Sequence, residues 1–310
     1  MSDQNIVRAT GLLVIEAINS NPNGDPDCEG DPRQRRDGKG EISPVSFKRK
    51  LRDLVEDKEG LVWKELKAKF DLKDEENMIL ESRGRNREEI NKLLTDNFEA
   101  FKKRYWDARV FGNTFLEEAK AQRKLKKQEN ARVFGNTFLE EGSSTTIKTG
   151  VVQFGMGLSV APIFIERQTN TSKSGVQEGK DRGMAPMGFR IVQHGIYCMP
   201  FFVNPSAASG NRSTGCTKTD IDLLLALIPL AYPHTRSYIR NNVEILNAWY
   251  IEHKSPLGSC PDYKLIDALT PKKRQDPDKP SMSRDEYDRP PSLPNDLESK
   301  IASIKDLMEF

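Results

Sequence analysis

Asn21-Pro22-Asn23-Gly24-Asp25-Pro26 and, after a glycine-rich stretch, Ile42-Ser43-Pro44-Val45-Ser46-Phe47-Lys48-Arg49-Lys50-Leu51-Arg52 decide how the chain is read. Ile6 to Asn19 ahead of them has the apolar content of a buried strand, and Gly, Pro and Asp dominate from there to Ser43. Ser43 suits a helix cap and Pro44 the first helical position. Phe47, Leu51, Leu54 and Val55 then recur at i, i+4, i+7 and i+8, the spacing of one buried stripe. Lys48, Arg49 and Arg52 fall off that stripe with Lys50 nearby, so the pattern predicts a strand, a long structureless polar loop and a helix turning cations toward it. A loop of that length inside a compact domain usually binds something, and cations beside it fit a polyanion.

The rest of the composition narrows the class. At 310 residues, with 36% hydrophobic and 30% charged positions, the chain reads as a globular protein with polar insertions. No apolar run reaches membrane-spanning length and the first twenty residues lack the pattern of a secretory signal, so the expected location is cytoplasmic, with no membrane partner. Cys28, Cys198, Cys216 and Cys260 are scattered without a CxxC pair, and only His194, His234 and His253 could join them, so reduced thiols are expected and no metal site. Net charge is +2, so any nucleic-acid binding must rest on a local patch.

Further along, Lys64 to Tyr105 is highly charged, with Ile90, Leu93, Leu94, Phe98, Phe101 and Tyr105 at helical spacing, which predicts a helical insertion. Val152, Phe154, Met156, Leu158 and Val160 alternate with Gln153, Gly155, Gly157 and Ser159, predicting one strand with a bare face open to a ligand or another backbone. Residues 166 to 188 are charged and rich in Gly and Ser ahead of apolar Phe189 to Val203, which reads as a long protruding hairpin. Ile221, Leu224, Leu225 and Ile228 predict a helix opened by Thr219 and Asp220, and Val243 to Glu252 a strand. Thr270 to Pro294 reads as a flexible linker, and Leu297, Ile301, Ile304 and Met308 as a short amphipathic helix docking on a partner. The order gives an α+β fold compatible with an RNA-recognition-motif (ferredoxin-like) core.

Ala108 to Glu118 recurs identically as Ala131 to Glu141, a local duplication too short and too few for a solenoid, and the sequence does not say which copy is structural. Asp25, Asp27, Glu29 and Gly30 imitate half an EF-hand loop, yet Arg36 stands where calcium needs a bidentate Glu. Gly175 to Asp181 imitates a phosphate loop, but its glycines are too close and Asp181 replaces Ser or Thr after Lys180. No cofactor-binding or nucleophile signature is left, and His194 and His253 lie in apolar strand-like segments that favour a structural role.

In order and spacing these segments resemble the repeated backbone subunit of type I CRISPR surveillance complexes, the Cas-seven family, in its type I-C branch. The resemblance rests on NPNGDP and ISPVSFKRKLRD, then Arg-Val-Phe-Gly at 109 to 112 and again at 132 to 135, Gly150-Val-Val-Gln-Phe154, Glu178 to Met184, His194-Gly195-Ile196-Tyr197 and Glu252-His253-Lys254-Ser255. It reaches about position 270 and leaves the tail uncovered. It implies a non-catalytic subunit that binds guide RNA (crRNA), polymerises with further copies of itself, meets other Cascade subunits at the guide ends and in the large and small positions, and lets the guide pair with target DNA in antiviral defence. A recruited helicase-nuclease is a further implied partner.

The implied layout is a palm opening at 1–57, a finger insertion at 58–107, the duplicated segment at 108–149, a palm strand at 150–165, a thumb hairpin at 166–188, the rest of the palm at 189–269 and the tail at 270–310. Implied RNA contacts are Asn21, Asn23, Lys48, Arg49, Lys50, Arg52, Arg109, Arg132, Gln153, Arg167, Lys180 and Arg182, with Met184 or Met187 wedging a displaced base. The alternative is the metal-dependent RNA cleavage of the related type III subunits, with Asp25, Asp27, Asp31 or Asp37 as candidates, although prolines and glycines make aspartates natural turn formers there.

Overall fold

The computed structural model describes residues 5–82, 90, 97–112, 149–173, 184–210, 213–288 and 292–309. The strands are β1 (Ala9–Ser20), β2 (Lys39–Ile42), β3 (Val152–Phe154), β4 (Gly157–Pro162), β5 (Ile165–Lys173), β6 (Met184–Val203), β7 (Val243–His253) and β8 (Ile301–Asp306). The helices are α1 (Pro44–Glu56), α2 (Leu61–Phe70), α3 (Phe98–Arg104), α4 (Trp106–Phe111), α5 (Lys218–Leu227), α6 (Asp262–Leu269) and α7 (Asn295–Glu298). Two compact units result: one from Met1–Arg8, Val55–Gln153 and Val203–Leu224, the other from Ala9–Leu54, Phe154–Phe202 and Leu225–Phe310.

The second unit is built on a sheet of order β2-β4-β6-β1-β7-β8, with β5 also paired to β6. The β1–β7, β2–β4, β4–β6, β5–β6 and β7–β8 pairs are antiparallel. β1 is a run of buried apolar residues because both its faces are covered. Leu12 and Val14 point into a cluster with Ile196, Ile251, Leu265, Leu269, Tyr287 and Leu293. On the other face Gly11 lies under the Phe201 ring, where a Cβ would fall 2.0 Å from a ring carbon, so only glycine fits. Phe201 stacks on Phe154 at 5.2 Å, and Phe47 meets Phe154 at 5.3 Å and Tyr232 at 5.9 Å. That aromatic chain docks α1: Phe47, Leu51 and Val55 are fully buried and Leu54 nearly so, each contributing roughly 1.5–3 kcal/mol.

In the first unit Leu80, Ile90, Phe101, Tyr105 and Ala108 form their own cluster. The Asp107 carboxylate accepts from the Leu80 amide at 2.7 Å and the Glu81 amide at 3.2 Å, tying α4 to that segment. Trp63 is fully buried and donates to Asp74 at 2.8 Å under the Lys58 ammonium, 3.5 Å from its ring. Helices α2 and α3 lie in this stretch, and Leu93 and Leu94 lie outside the described residues. Of the duplicated segment, Ala108–Phe111 of the first copy is packed helix, while 131–141 lies outside the described residues.

Several expectations are corrected. The loop after β1 is not structureless: Asp25 caps a turn of 3₁₀ helix at Pro26–Cys28, Gly24 bridges Pro32, Gln34 bridges Gly40, and β2 closes it, because Asx and proline turn chemistry supplies the backbone with partners. The strand expected over 152 to 160 breaks at Gly155-Met156 into β3 and β4, which turns Gly157, Ser159 and Ala161 inward. Its small residues admit the neighbouring strand, with Ser159 Oγ accepting from the Gly40 amide at 2.8 Å.

The segment from Thr270 is held, not a free linker. Lys273 bridges Tyr287, Ser283 and Glu286 form a capping box, and Tyr287 and Leu293 are buried, anchors that an average composition conceals. The tail pairs as an edge strand, Tyr250 opposite Lys305, in place of the amphipathic helix, of whose stripe only Leu297 lies in a helix, the four-residue α7. So short a helix is marginal in water, whereas a ladder to β7 satisfies the backbone at once.

Candidate nucleic-acid interface

The turn out of β1 and the start of α1 are built as one piece. Asn23 Oδ1 accepts from the Ser43 amide at 2.9 Å and from Ser43 Oγ at 2.8 Å, and Ser43 Oγ in turn accepts from the Ser46 amide at 3.2 Å. Asn21 donates through Nδ2 to the Gly30 carbonyl at 2.8 Å and through its amide to the Ile239 carbonyl at 2.7 Å. Both asparagines, expected as RNA contacts, are buried braces of the loop in the structure. Asp31 pairs with Arg190 on β6, and Gln34 reaches the Ile163 carbonyl at 3.0 Å, so hairpin and loop are tied together.

The cations of α1 divide in two. Lys48 and Arg49 are half-buried, and Arg49 holds Asp53 one turn on at 2.6 Å. Lys50 and Arg52 are buried, at 7% and 4% exposure. A stripe at i, i+4, i+7 and i+8 leaves positions 50 and 52 on its flanks, and neighbouring elements cover both flanks.

Lys50 Nζ donates to Thr235 Oγ1 at 3.1 Å and sits 5.0 Å from the centroid of the Tyr232 ring. Burial, and then repulsion from Arg240, push its pKa down to about 8, with Asp53 opposing. Arg240 donates Nε to the Asn21 carbonyl at 3.1 Å. Sequence reasoning missed Arg240 and Tyr232. The available signal was the interleaving of Arg236, Tyr238 and Arg240, basic and aromatic in alternation, beside an exposed Tyr238 that meets Phe189 edge-on at 5.4 Å.

Arg109, an expected RNA contact, is buried among partners of its own chain. Its Nε and one terminal nitrogen chelate Asp220 at 3.0 and 2.7 Å, and the other terminal nitrogen donates to the carbonyls of Glu76, Lys102 and Lys103. Gln153 is half-buried and donates to the Gly150 carbonyl at 3.3 Å. Arg167 is exposed on β5, opposite Arg190 in register and with its guanidinium against Gly188. Met184 and Met187 lie on β6, opposite Lys173 and Asn170, while Arg132, Lys180 and Arg182 lie outside the described residues.

His194 and His253 are buried and hydrogen-bonded. His194 is buried between Ser281 Oγ at 2.8 Å and Glu16 Oε1 at 3.2 Å, and His253 between Thr10 Oγ1 at 3.0 Å and Ser259 Oγ at 3.2 Å. Burial alone would raise the Glu16 pKa, but hydrogen bonds from His194 and Arg284 outweigh it and hold the carboxyl at about 2. All four cysteines are free, and burial pushes Cys198 up to about 12. Among the described residues no group of three or more His, Cys, Asp and Glu side chains is placed to hold a metal ion.

The chain matches the model of the family described as CRISPR-associated protein Cas7 over residues 7–290. It belongs to that family. The match takes in the loop, α1, the β5–β6 hairpin and the Arg236 to Arg240 segment together. Among solved structures, the chain is similar to one titled "CRISPR RNA-guided surveillance complex" at 15% identity and a TM-score of 0.39, covering 84% of this chain and 75% of that one. A second, titled "CRISPR RNA-guided surveillance complex, pre-nicking", stands at 16% identity and 0.39, covering 80% and 77%. A search of curated proteins gives no match.

Proposed function

We propose that this chain is a non-catalytic, guide-RNA-binding backbone subunit of a type I surveillance complex, in the type I-C branch. The observation that carries this reading is the Cas7 family match across residues 7–290. The connectivity β1-α1-β4-β6-α5-β7, with β4-β6-β1-β7 adjacent in the sheet, supports an RNA-recognition-motif palm, and the β5–β6 hairpin supports a thumb. Copies polymerise head to tail along the guide, since a repeated heterologous contact generates a helix unless it closes. Guide pairing supplies specificity for target DNA while the protein holds backbone and shape, as in another RNA-guided system. The cytoplasm is the compartment this role requires.

Half-exposed Lys48 and Arg49 on α1 are the phosphate contacts proposed first. Asp25, the first cleavage candidate, caps its own turn and lies 3.6 Å from Arg33, and Asp31 is paired with Arg190, which suits turn-building aspartates.

The test is binding of a single-stranded RNA across a salt series. The double variant Lys48→Glu, Arg49→Glu is expected to bind more weakly at every sequence and to flatten the salt slope by about 0.7 for each phosphate that is no longer neutralised. Unchanged affinity and slope would overturn the assignment of α1. RNA cut at regular intervals in magnesium, and spared in Asp25→Ala, would overturn the non-catalytic reading.

A further inference from the structure

The β5–β6 hairpin needs support at its base, because a two-stranded ribbon held by one ladder is marginal in water. Arg167 on β5 and Arg190 on β6 stand directly opposite each other in register, so two like charges share one face of the ribbon. They are separated by different partners. Arg167 lays its guanidinium along Gly188, where an added Cβ would stand 3.3 Å from its terminal nitrogen, and Arg190 turns to the Asp31 carboxylate of the loop after β1. The loop also holds the start of the ribbon: Gln34 donates to the Ile163 carbonyl at 3.0 Å, and the Ile163 amide donates to the Gly38 carbonyl at 2.9 Å.

The opposite face is held separately. Phe189 precedes Arg190 on β6, so strand alternation points it the other way, and there it meets the Tyr238 ring edge-on at 5.4 Å. Tyr238 rides on a tight turn closed by the Arg240 amide, which donates to the Ser237 carbonyl at 2.9 Å. The same loop pins that turn: the Asn21 amide donates to the Ile239 carbonyl at 2.7 Å, and Arg240 Nε to the Asn21 carbonyl at 3.1 Å. An ion pair on one face and an aromatic edge on the other thus grip the hairpin, and both grips trace back to residues 21–43. A tyrosine left 63% exposed at a turn tip acquires a role from this arrangement.

We propose that Asp31 and Tyr238 are positioning residues that fix the direction of the β5–β6 hairpin from its two faces. This rests on the reading above, in which the hairpin is the thumb of a subunit that assembles on RNA. Asp31 acts on Arg190 and Tyr238 on Phe189, and they reach a neighbouring copy through the hairpin they aim. The loop before α1 thereby links the helix that carries Lys48 and Arg49 to the element that protrudes from the sheet.

The test follows amide hydrogen exchange over Ile165–Lys173 in the full chain freed of RNA. Asp31→Ala is expected to speed exchange there about threefold and Tyr238→Ala about fivefold, with Tm and the exchange of β1 and β7 unchanged. Asp31→Glu should restore the wild-type rate, and Arg190→Ala added to Asp31→Ala should bring no further increase. On a long single-stranded RNA, Asp31→Ala should lower the cooperativity with which copies assemble, while affinity for an RNA long enough for one copy stays as it was. Hairpin exchange that neither variant alters, or a loss of protection spread over the whole sheet, overturns the proposal. Wild-type assembly on RNA that Asp31→Ala leaves unchanged overturns it too, and leaves the guide-binding reading standing. Faster exchange confined to the hairpin, in a chain whose wild type binds no RNA, supports the positioning and overturns that reading.

Discussion

Arg109 and Lys50 are both buried cations on helices, and their partners separate them. Arg109 spends its donors on one bidentate carboxylate and three carbonyls, so its charge is fully answered by the chain itself. Lys50 has a single hydroxyl, an aromatic face and a second cation for company. Burial alone therefore does not tell a fully partnered charge from a sparsely partnered one; the partner accounting does. Arg109 is answered within its own unit, whereas the Lys50 ammonium keeps one hydroxyl and one ring in the other.

Arg109→Ala leaves Asp220 buried without its partner and is expected to cost about 3–5 kcal/mol in urea unfolding. A loss under 1 kcal/mol would mean the pair is not what holds α4 to α5.

Lys50 should show the opposite sign, through pH. Its folded pKa of about 8 lies below the ordinary 10.5, so the penalty for burying the charge is complete below pH 8 and is relieved as pH rises toward 10.5. Lys50 should thus contribute a gain of up to about 3 kcal/mol over that window, with Lys58 acting in the same direction and the buried Cys198 and Cys216 thiols against it. Lys50→Met should remove the Lys50 share, and a stability difference between wild type and variant that stays constant from pH 8 to 10 would contradict the assignment.

Glu16 provides a milder case. Its carboxyl is held at about 2 against an ordinary 4.5, so stability is present above pH 4.5 and lost as pH falls toward 2. Arg284→Ala should narrow that loss and cost about 1–3 kcal/mol at neutral pH. A variant as stable as the wild type, with the same acid limb, would show that Arg284 does not answer Glu16. The smallest effect is expected at Tyr232→Phe, which should leave the free chain unchanged or more stable by about 1 kcal/mol, read by thermal unfolding.

The elements with strong local patterns were legible: β1, α1 with Phe47 and Leu51, α5 and β7 fall where periodicity puts them. The tail was not, because Leu297, Ile301, Ile304 and Met308 satisfy a helical spacing while the free edge of β7 rewards extension. The Thr270 to Pro294 segment was misread because two buried anchors, Tyr287 and Leu293, are diluted among charged residues. The basic run made Lys50 visible, but its burial against Tyr232 and Thr235, far away in sequence, was not legible. The burial of Arg109 was hidden in the same way, since its partner Asp220 looks like an ordinary helix-opening acid.

The proposed guide-RNA binding is tested by recovering nucleic acid from the wild-type chain purified with its companion subunits. Discrete RNAs of uniform length flanked by repeat sequence are expected, retained at low salt and released as salt rises. An assembly that purifies free of RNA under those conditions would contradict it.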